Sequence, residues 1–385
     1  MLAMDLCALA ARFAIDAEPV LVEPLGNGNV NATYRVQTVS GRSYVLQRLN
    51  TAVFQQPELV MANLEALIAH ADPPLDWQLP RPVPAPEAPT GSTTAHSPYL
   101  VEHDGHPWRV LTFVEQATSI DVVSDARQAA EIGRALGRFH ALIADLPVEH
   151  LVDTLEGFHI TPRYYSAYQQ QLQAGSPRLQ DPVAQQCVAF IAEREELVPV
   201  LEQAKASGRL QLRPIHGDPK VNNVMLCSAT GCAVAMVDLD TVKPGLLHYD
   251  IGDLLRSGCN PAGEETTDLD AVHFDLDLAK AMLSGYLAEA AWLLSAADRE
   301  HLFDAIRLLP FELGLRFFSD HLAGDVYFKA ERPDHNLSRA LVQFRLSQQI
   351  EAQEEAIRAL LAELFNALQP PAATALHPEA MDLAS

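Results

Sequence analysis

The sequence is poor in positive charge. It has 27 lysines and arginines against 50 aspartates and glutamates, a formal net charge of −23 over 385 residues. Such a surface repels nucleic acid and anionic membranes, so neither is expected as a partner. The deficit also means that any site for an anionic ligand must supply its own cations or a metal. Cysteine is scarce as well. Cys7, Cys187, Cys227, Cys232 and Cys259 are odd in number and contain no C-x-x-C pair. This argues against a disulfide framework or a zinc site and fits a reducing compartment. No apolar run approaches the ~18 residues of a membrane span. The opening stretch, residues 1–18, lacks the basic start of a signal peptide and is interrupted by Asp5, Arg12 and Asp16. Leu6, Leu9, Ala10 and Phe13 fall at helical spacing, so an amphipathic surface helix is expected there. A cytoplasmic monomer is the expectation, and no internal repeat is present.

What remains is the composition of a soluble globular protein, 48% hydrophobic and 20% charged, long enough for one large domain or two ordinary ones. Residues 19–50 alternate as strands do: Val20–Val22, Thr33–Gln37 and Tyr44–Leu49, with Ser40-Gly41 as a turn. Residues 57–70 read as a helix with Leu59, Asn63, Leu67 and His70 along one side. The eight prolines between Pro73 and Pro98 mark an extended connector. Two further strands, 99–102 and 108–114, flank the hairpin signal Asp104-Gly105. Helices then dominate. Ser124 is the expected N-cap of a helix with the stripe Ile132, Leu136, Phe139 and Ile143, and Gly133 and Gly137 allow close packing on one side. Helical patterns cover 181–206, 275–294, 297–323 and 336–367. A strand-rich island spans 213–243, and a disordered tail is expected from Gln369.

The island carries the chemistry. In His216-Gly217-Asp218-Pro219-Lys220-Val221-Asn222-Asn223, Asp218 stands five residues before Asn223 and two before Lys220. Fifteen residues after Asn223, an apolar run ends in Asp238, with Asp240 beyond it. Phosphoryl transfer from ATP needs these parts: a carboxylate to take a hydroxyl proton, an amide oxygen and a second carboxylate for magnesium, and a lysine near the γ-phosphate. The bland alternative is a polar turn between strands, which leaves the acid at the end of the run unexplained. Gly26-Asn27-Gly28 lies between strands, where a side-chain-free tip can offer backbone N–H groups to phosphates; a simple turn is its bland reading. Gln47 falls where a kinase strand of the V-A-I-K type places its lysine. It brings no charge, Arg48 points to the other face of a regular strand, and Glu65 on the following helix then has no cation to pair with. Asp250 either caps a helix or accepts hydrogen bonds from the catalytic loop, a supporting role in both cases. His140 reads as a core histidine.

These residues resemble the aminoglycoside phosphotransferase/choline kinase group over residues 19 to about 350. Within it the chain looks most similar to N-acetylhexosamine 1-kinases. The closer likeness lies in the segments 26–34, 45–54, Trp108-Arg109-Val110, Gly157-Phe158-His159, 216–253, 316–320 and 324–328. Glutamine at the strand position belongs to that narrower pattern. The resemblance implies an α+β, protein-kinase-like two-lobed fold. A small β-rich lobe would span 1–115 and a larger helical lobe 116–385, with ATP between them. Asp218 would be the base and Lys220 its catalytic partner. Asn223 and Asp238 would hold Mg2+, with Asp240 either supporting them or binding a second ion. Gly26, Gly28 and Gln47 would lie at the nucleotide phosphates, and the strand running through Thr112 and Val114 would lead to the adenine. Asn29, which replaces a family histidine, would face the acceptor with Asn31, Arg316 and Tyr327. For Arg316 a salt bridge with Asp320 is an equal alternative, and for Tyr327 packing under the Gly324 turn. The implied reaction is ATP-dependent phosphorylation of the anomeric hydroxyl of an N-acetylhexosamine. Two rivals stand beside it. One is a kinase for an amino alcohol, another sugar or an aminoglycoside; Asp325 and the acids at 264–277 would meet a cationic acceptor, with a solvated face as their bland reading. The other is a non-catalytic nucleotide-binding pseudokinase, for which Gln47 speaks.

Overall fold

The computed structural model describes residues 3–26, 30–86 and 97–368. Gly28, Asn29 and the tail from Gln369 lie outside the described residues. The N-terminal part begins with helix α1 (Ala3–Ala10) and strands β1 (Pro19–Pro24), β2 (Ala32–Thr38) and β3 (Ser43–Arg48). Helix α2 (Pro57–His70), a short β4 (Pro82–Val83) and the hairpin β5 (Val101–His103) and β6 (His106–Thr112) follow. The strands form one antiparallel sheet in the order β1-β2-β3-β6-β4, with β5 also on β6. The hairpin turn has Asp104 at φ 53° and Gly105 at φ 74°, the two left-handed residues that an Asp-Gly tip supplies. Strand β4 was not foreseen in the proline-rich stretch. It is tolerated because it lies at the sheet edge, where Pro82 needs no partner for a missing N–H. Leu6, Leu9, Ala10 and Phe13 keep their helical-side grouping. They are buried against Val22, Val36 and Tyr44, so this segment covers the sheet and does not lie free on the surface.

Helix α2 has the expected bounds but a different inner face. Val60, Met61, Asn63, Leu64 and Leu67 are buried, whereas Leu59 and His70 are only partly so. Met61, Leu64 and Leu67 join the large core of the helical part. The fully buried Asn63 donates through Nδ2 to the Val152 and Val242 carbonyls at 2.7 and 2.9 Å and accepts from Val152 N–H at 2.9 Å. This side chain therefore bonds α2 to the helical part of the protein.

That part contains β7 (Ala117–Thr118), α3 (Ala126–Leu142), α4 (Thr161–Ala174), α5 (Pro182–Ala192) and α6 (Val200–Ala206). It continues with β8 (Arg213–Ile215), β9 (Val224–Cys227), β10 (Ala233–Met236), β11 (Lys243–Gly245) and α7 (Leu247–Gly258). It ends with α8 (Leu276–Ala290), α9 (Ala296–Glu300), α10 (Leu302–Ala323), α11 (His335–Ala352) and α12 (Glu354–Ala367). Strand β9 pairs with β10 and β7, and β8 with β11. The N-cap of α3 is Asp125, which accepts from Gln128 N–H at 2.8 Å. Ser124 instead donates to the Gln128 side chain, so the cap lies one residue later than expected. Helix α4 was not anticipated. Only Thr161 and Tyr168 of it are buried, too little to leave an apolar stripe in the sequence.

Helices α3 and α8 meet at glycines. A Cβ on Gly133 would lie 1.8 Å from Met282 O, one on Gly137 2.6 Å from Tyr286 O, and one on Gly285 2.0 Å from Ala130 O. The backbones approach to a distance that no side chain allows, as the Gly133/Gly137 spacing predicted. Among the described residues no helix is long and apolar enough to cross a membrane. All five cysteines are free.

Candidate active site

The loop between β8 and β9 takes its shape from the residues behind it. Gly217 has φ +86°, and a Cβ there would meet Thr241 O at 2.4 Å, so glycine is required on both counts. Of the two roles foreseen for Asp250, the structure shows the second. The residue lies inside the first turn of α7, and its carboxylate accepts from the N–H groups of His216 (2.7 Å) and Gly217 (2.9 Å). His140 is a buried core histidine, as expected, and holds Asp250 in turn. Its Nε2 lies 2.8 Å from Asp250 Oδ2, and its Nδ1 3.0 Å from the Tyr286 hydroxyl.

Asp218, half-buried, emerges from this frame. Lys220 Nζ donates to its Oδ2 at 2.8 Å. Asn223 Nδ2 donates to its backbone carbonyl at 2.7 Å, which leaves the Asn223 amide oxygen without a partner among the described residues. Burial alone would lower the Lys220 ammonium, but the carboxylates of Asp218, Asp238 and Asp253 outweigh it and raise the group above its ordinary value. Asp238 ends β10 in a left-handed conformation, φ 62°, and makes no hydrogen bond or ion pair among the described residues. Solvent reaches its side chain at the cleft. The protein around it and the Asp240 carboxylate nevertheless push its carboxyl up to about 6. An unpartnered amide oxygen and an unpartnered carboxylate crowded by other acids are a donor set that suits a hard divalent cation.

Asp240 does not share that freedom. It is 3% exposed and ion-paired to Arg109, itself 1% exposed, with Arg109 Nη2 donating to Oδ1 at 2.5 Å. Asn31 Nδ2 donates to Oδ2 at 2.8 Å. Both oxygens therefore carry a protein donor, as the supporting alternative expects. Asn31, expected against the acceptor, is committed on both sides, since its Oδ1 accepts from Asn50 N–H at 3.0 Å. Gln47 is half-buried, and both ends of its amide are engaged. Its Nε2 donates to the Thr33 hydroxyl at 3.1 Å, and its Oε1 accepts from Arg109.

Gly26 turns at φ +68° after β1. Thr112 ends β6, and its hydroxyl accepts from Arg81 N–H at 2.9 Å. Val114 is buried, and its N–H and C=O make no hydrogen bond among the described residues, as a segment open to a nucleobase would require. Arg316 makes no ion pair among the described residues. Its guanidinium sits 5.0, 4.9 and 5.3 Å from the ring centres of Phe158, Tyr164 and Phe328. The alternative partner, Asp320, is taken up by the N–H groups of Val326, Tyr327 and Phe328 and by Asn336. Tyr327 is half-exposed and stands edge-on to Phe328, so it is not packed under the Gly324 turn. The acids that could have made a cationic-substrate pocket are largely engaged. Asp325 pairs with Arg178, Glu264 with Arg256, and Glu265 with Arg339 and His335.

Three functional residues escaped the sequence reading. Arg109 was quoted only as part of a family segment. His159 has a left-handed backbone, φ 64°. Its Nε2 donates to Gly217 O at 2.8 Å, and its Nδ1 faces Glu312 Oε1 at 2.9 Å. Glu312 also accepts from the Thr161 hydroxyl.

Comparison with known proteins agrees with this architecture. Residues 21–293 match the phosphotransferase enzyme family. Among solved structures, an aminoglycoside phosphotransferase from Alicyclobacillus acidocaldarius aligns at 16% identity with a TM-score of 0.59, over 93% of this chain and 94% of its own. A choline kinase from Cryptosporidium parvum aligns at 13% identity and TM-score 0.58, over 94% and 99%. The amicoumacin kinase hAmiN, solved with AMP-PNP, Ca2+ and Ami, aligns at 16% and 0.56, over 91% and 93%. With the protein-kinase-like fold established and more than half its length matched, the chain belongs to the phosphotransferase enzyme family of small-molecule kinases.

Proposed function

We propose that this chain transfers the γ-phosphoryl group of ATP to the anomeric hydroxyl of an N-acetylhexosamine. The observation that carries the transfer is the convergence of Asp218, Lys220 and Asn223 in one hydrogen-bonded loop beside an unpartnered Asp238. Asp218 takes the proton of the attacking hydroxyl, which is a poor nucleophile until a carboxylate is placed beside it. Lys220 leaves Asp218 Oδ2 to meet the transferred phosphoryl group, so the base is released as the phosphate arrives. Asn223 and Asp238 hold Mg2+, which when bound neutralises charge on the phosphates. Gly26, at the turn after β1, lies toward those phosphates, and the Thr112–Val114 segment receives the adenine between the lobes 1–115 and 116–385. The hAmiN complex, with its nucleotide analogue and divalent ion, supports nucleotide-plus-metal use in this fold.

The acceptor reading rests on charge. Arg316 has no carboxylate partner among the described residues and stands among aromatic rings, while Asp325, Glu264 and Glu265 are paired within the protein. Such a surface favours a neutral hydroxyl- and amide-bearing molecule over a cation. Tyr327 completes the acceptor side, with Asn31 supporting it through Asp240. The test is a panel of N-acetylated hexosamines, free amino sugars, aminoglycosides and amino alcohols with Mg2+ and ATP, read by phosphorus NMR. An anomeric phosphate on an N-acetylhexosamine, lost in Asp218→Asn with nucleotide binding retained, is the expected result. Product from amino alcohols or aminoglycosides alone overturns the acceptor reading. Turnover in Asp218→Asn overturns the base.

A further inference from the structure

Strand β3 carries no cation at the position from which a kinase-type strand lysine would act, because Gln47 stands there. The cation at this place comes from the next strand. Arg109 is the register partner of Gln47 across the β3–β6 ladder. It donates to Gln47 Oε1 through Nε at 3.0 Å and through Nη2 at 2.7 Å. The same Nη2 reaches Asp240 Oδ1. With both members buried, removing either leaves the other charge uncompensated. Asp240 also accepts from Asn31, which follows Gly26 by five residues and holds Asn50 N–H after β3. One carboxylate thus ties together the β1–β2 connection, the β3–β6 pair and the loop that carries Asp238 two residues earlier. Glu65 on α2, the acid that would meet a strand lysine, forms no ion pair among the described residues. Partial burial raises its carboxyl, and its hydrogen bond is with Ser97. Helix α2 is secured by Asn63 instead.

We infer that Arg109 is the displaced counterpart of the strand lysine, a positioning residue that holds Asp240 and thereby the Asp238 loop against the β1–β2 connection. Buried as it is, the guanidinium works through Asp240 and does not touch phosphate. The ion pair that joins strand and helix in kinases of the lysine type is here an ion pair between strand and metal loop. This inference rests on the reading of Asp238 as a metal ligand.

The test compares the wild-type chain with Arg109→Gln, with the double variant Gln47→Lys and Arg109→Gln, and with Glu65→Gln. Thermal melting monitors the fold of each. One readout needs no acceptor: Mn2+ binding in the presence of ADP, titrated by the electron paramagnetic resonance of the free ion. Arg109→Gln is expected to raise the Mn2+ concentration at half-saturation at least tenfold and to lower kcat at least tenfold, with the acceptor KM unchanged. In the double variant the new lysine lies opposite the vacated guanidinium and can reach Asp240, so most of both losses return. Glu65→Gln behaves as wild type. A folded Arg109→Gln with wild-type Mn2+ half-saturation overturns the inference, and so does a loss in Glu65→Gln as large as that in Arg109→Gln. If Arg109→Gln does not fold, the double variant decides: restored metal binding supports the inference, and a folded protein with weakened metal binding overturns it. A wild-type chain that binds Mn2+ with ADP but phosphorylates no sugar refutes the acceptor reading alone. One that binds no Mn2+ overturns the metal reading and this inference together.

Discussion

His159 and Glu312 form a buried pair 2.9 Å apart, and the far nitrogen of the same imidazole donates to the Gly217 carbonyl at 2.8 Å. Each ring nitrogen faces an acceptor, so the ring donates from both and carries a positive charge. Gly217 immediately precedes Asp218, so the pair bears on the orientation of that peptide.

The charge state makes stability depend on pH. Burial pulls the imidazole down, but the Glu312 carboxylate, Asp253 on α7 and the Gly217 carbonyl together hold it above its ordinary 6.5. The folded chain therefore binds this proton more tightly than the unfolded chain does. The resulting stabilisation is full below about pH 6.5, the free value, and is lost as pH rises through the raised folded value. In urea titrations from pH 6 to 9, the stability gap between wild type and His159→Gln should be widest at pH 6 and narrow steadily. A gap that stays constant would show that the ring is neutral throughout.

Arg316 offers a test of the acceptor side. Its guanidinium sits among Phe158, Tyr164 and Phe328 and makes no ion pair among the described residues. Planar stacking and forked donors are what lysine cannot reproduce. Arg316→Lys should raise the acceptor KM about tenfold, roughly the 1–2 kcal/mol of a cation–π or charged hydrogen-bond contact, and leave the ATP KM alone. Steady-state kinetics with both substrates varied checks the split, and an equal rise in both constants would count against the assignment.

Asp320 organises the loop that presents Tyr327, accepting from three consecutive N–H groups and from Asn336. Asp320→Ala removes the acceptor of three part-buried N–H groups and of the buried Asn336 amide, at about 1–3 kcal/mol for each donor that water cannot reach. The variant should melt several degrees lower and show a raised acceptor KM. Unchanged melting would mean that the loop finds other acceptors.

The α3–α8 contact should tolerate no added carbon. Gly133→Ala and Gly285→Ala each place a methyl against a backbone carbonyl, forcing the helices apart. Overpacking of this kind costs about 1–3 kcal/mol or more, although alanine is the better helix former by about 1 kcal/mol. Chemical denaturation should show net destabilisation in both. A stabilised variant would contradict the close approach.

Local signals were legible and long-range pairings were not. The bounds of α2, the Asp104-Gly105 hairpin and the 216–223 loop follow from residues within a few positions of one another, and each took the expected form. The Asp238 run could be read because an apolar strand ending in an acid is a local pattern. The role of Gln47 could not be read, because it depends on Arg109 lying beside it, 62 positions away across a ladder whose register is set by the whole sheet. The engagement of Asn31 with Asp240 spans 209 positions. His159 was quoted only within the family segment Gly157-Phe158-His159, and Glu312 gave no signal: the histidine and a glutamate in an apolar helix become a pair only when α10 packs beside the 157–161 segment. Helix α4 was missed for the opposite reason, since it buries so little that it has no face to announce it.

Kinases of the lysine type can be silenced by swinging the helix after the third strand outward, which breaks its ion pair to the strand. Here that helix is bolted to the opposite half of the molecule by three hydrogen bonds from the single buried amide of Asn63. Moving it would break all three and leave the buried Val242 carbonyl without its donor. A catalyst built this way has no resting pose of that kind to be woken from.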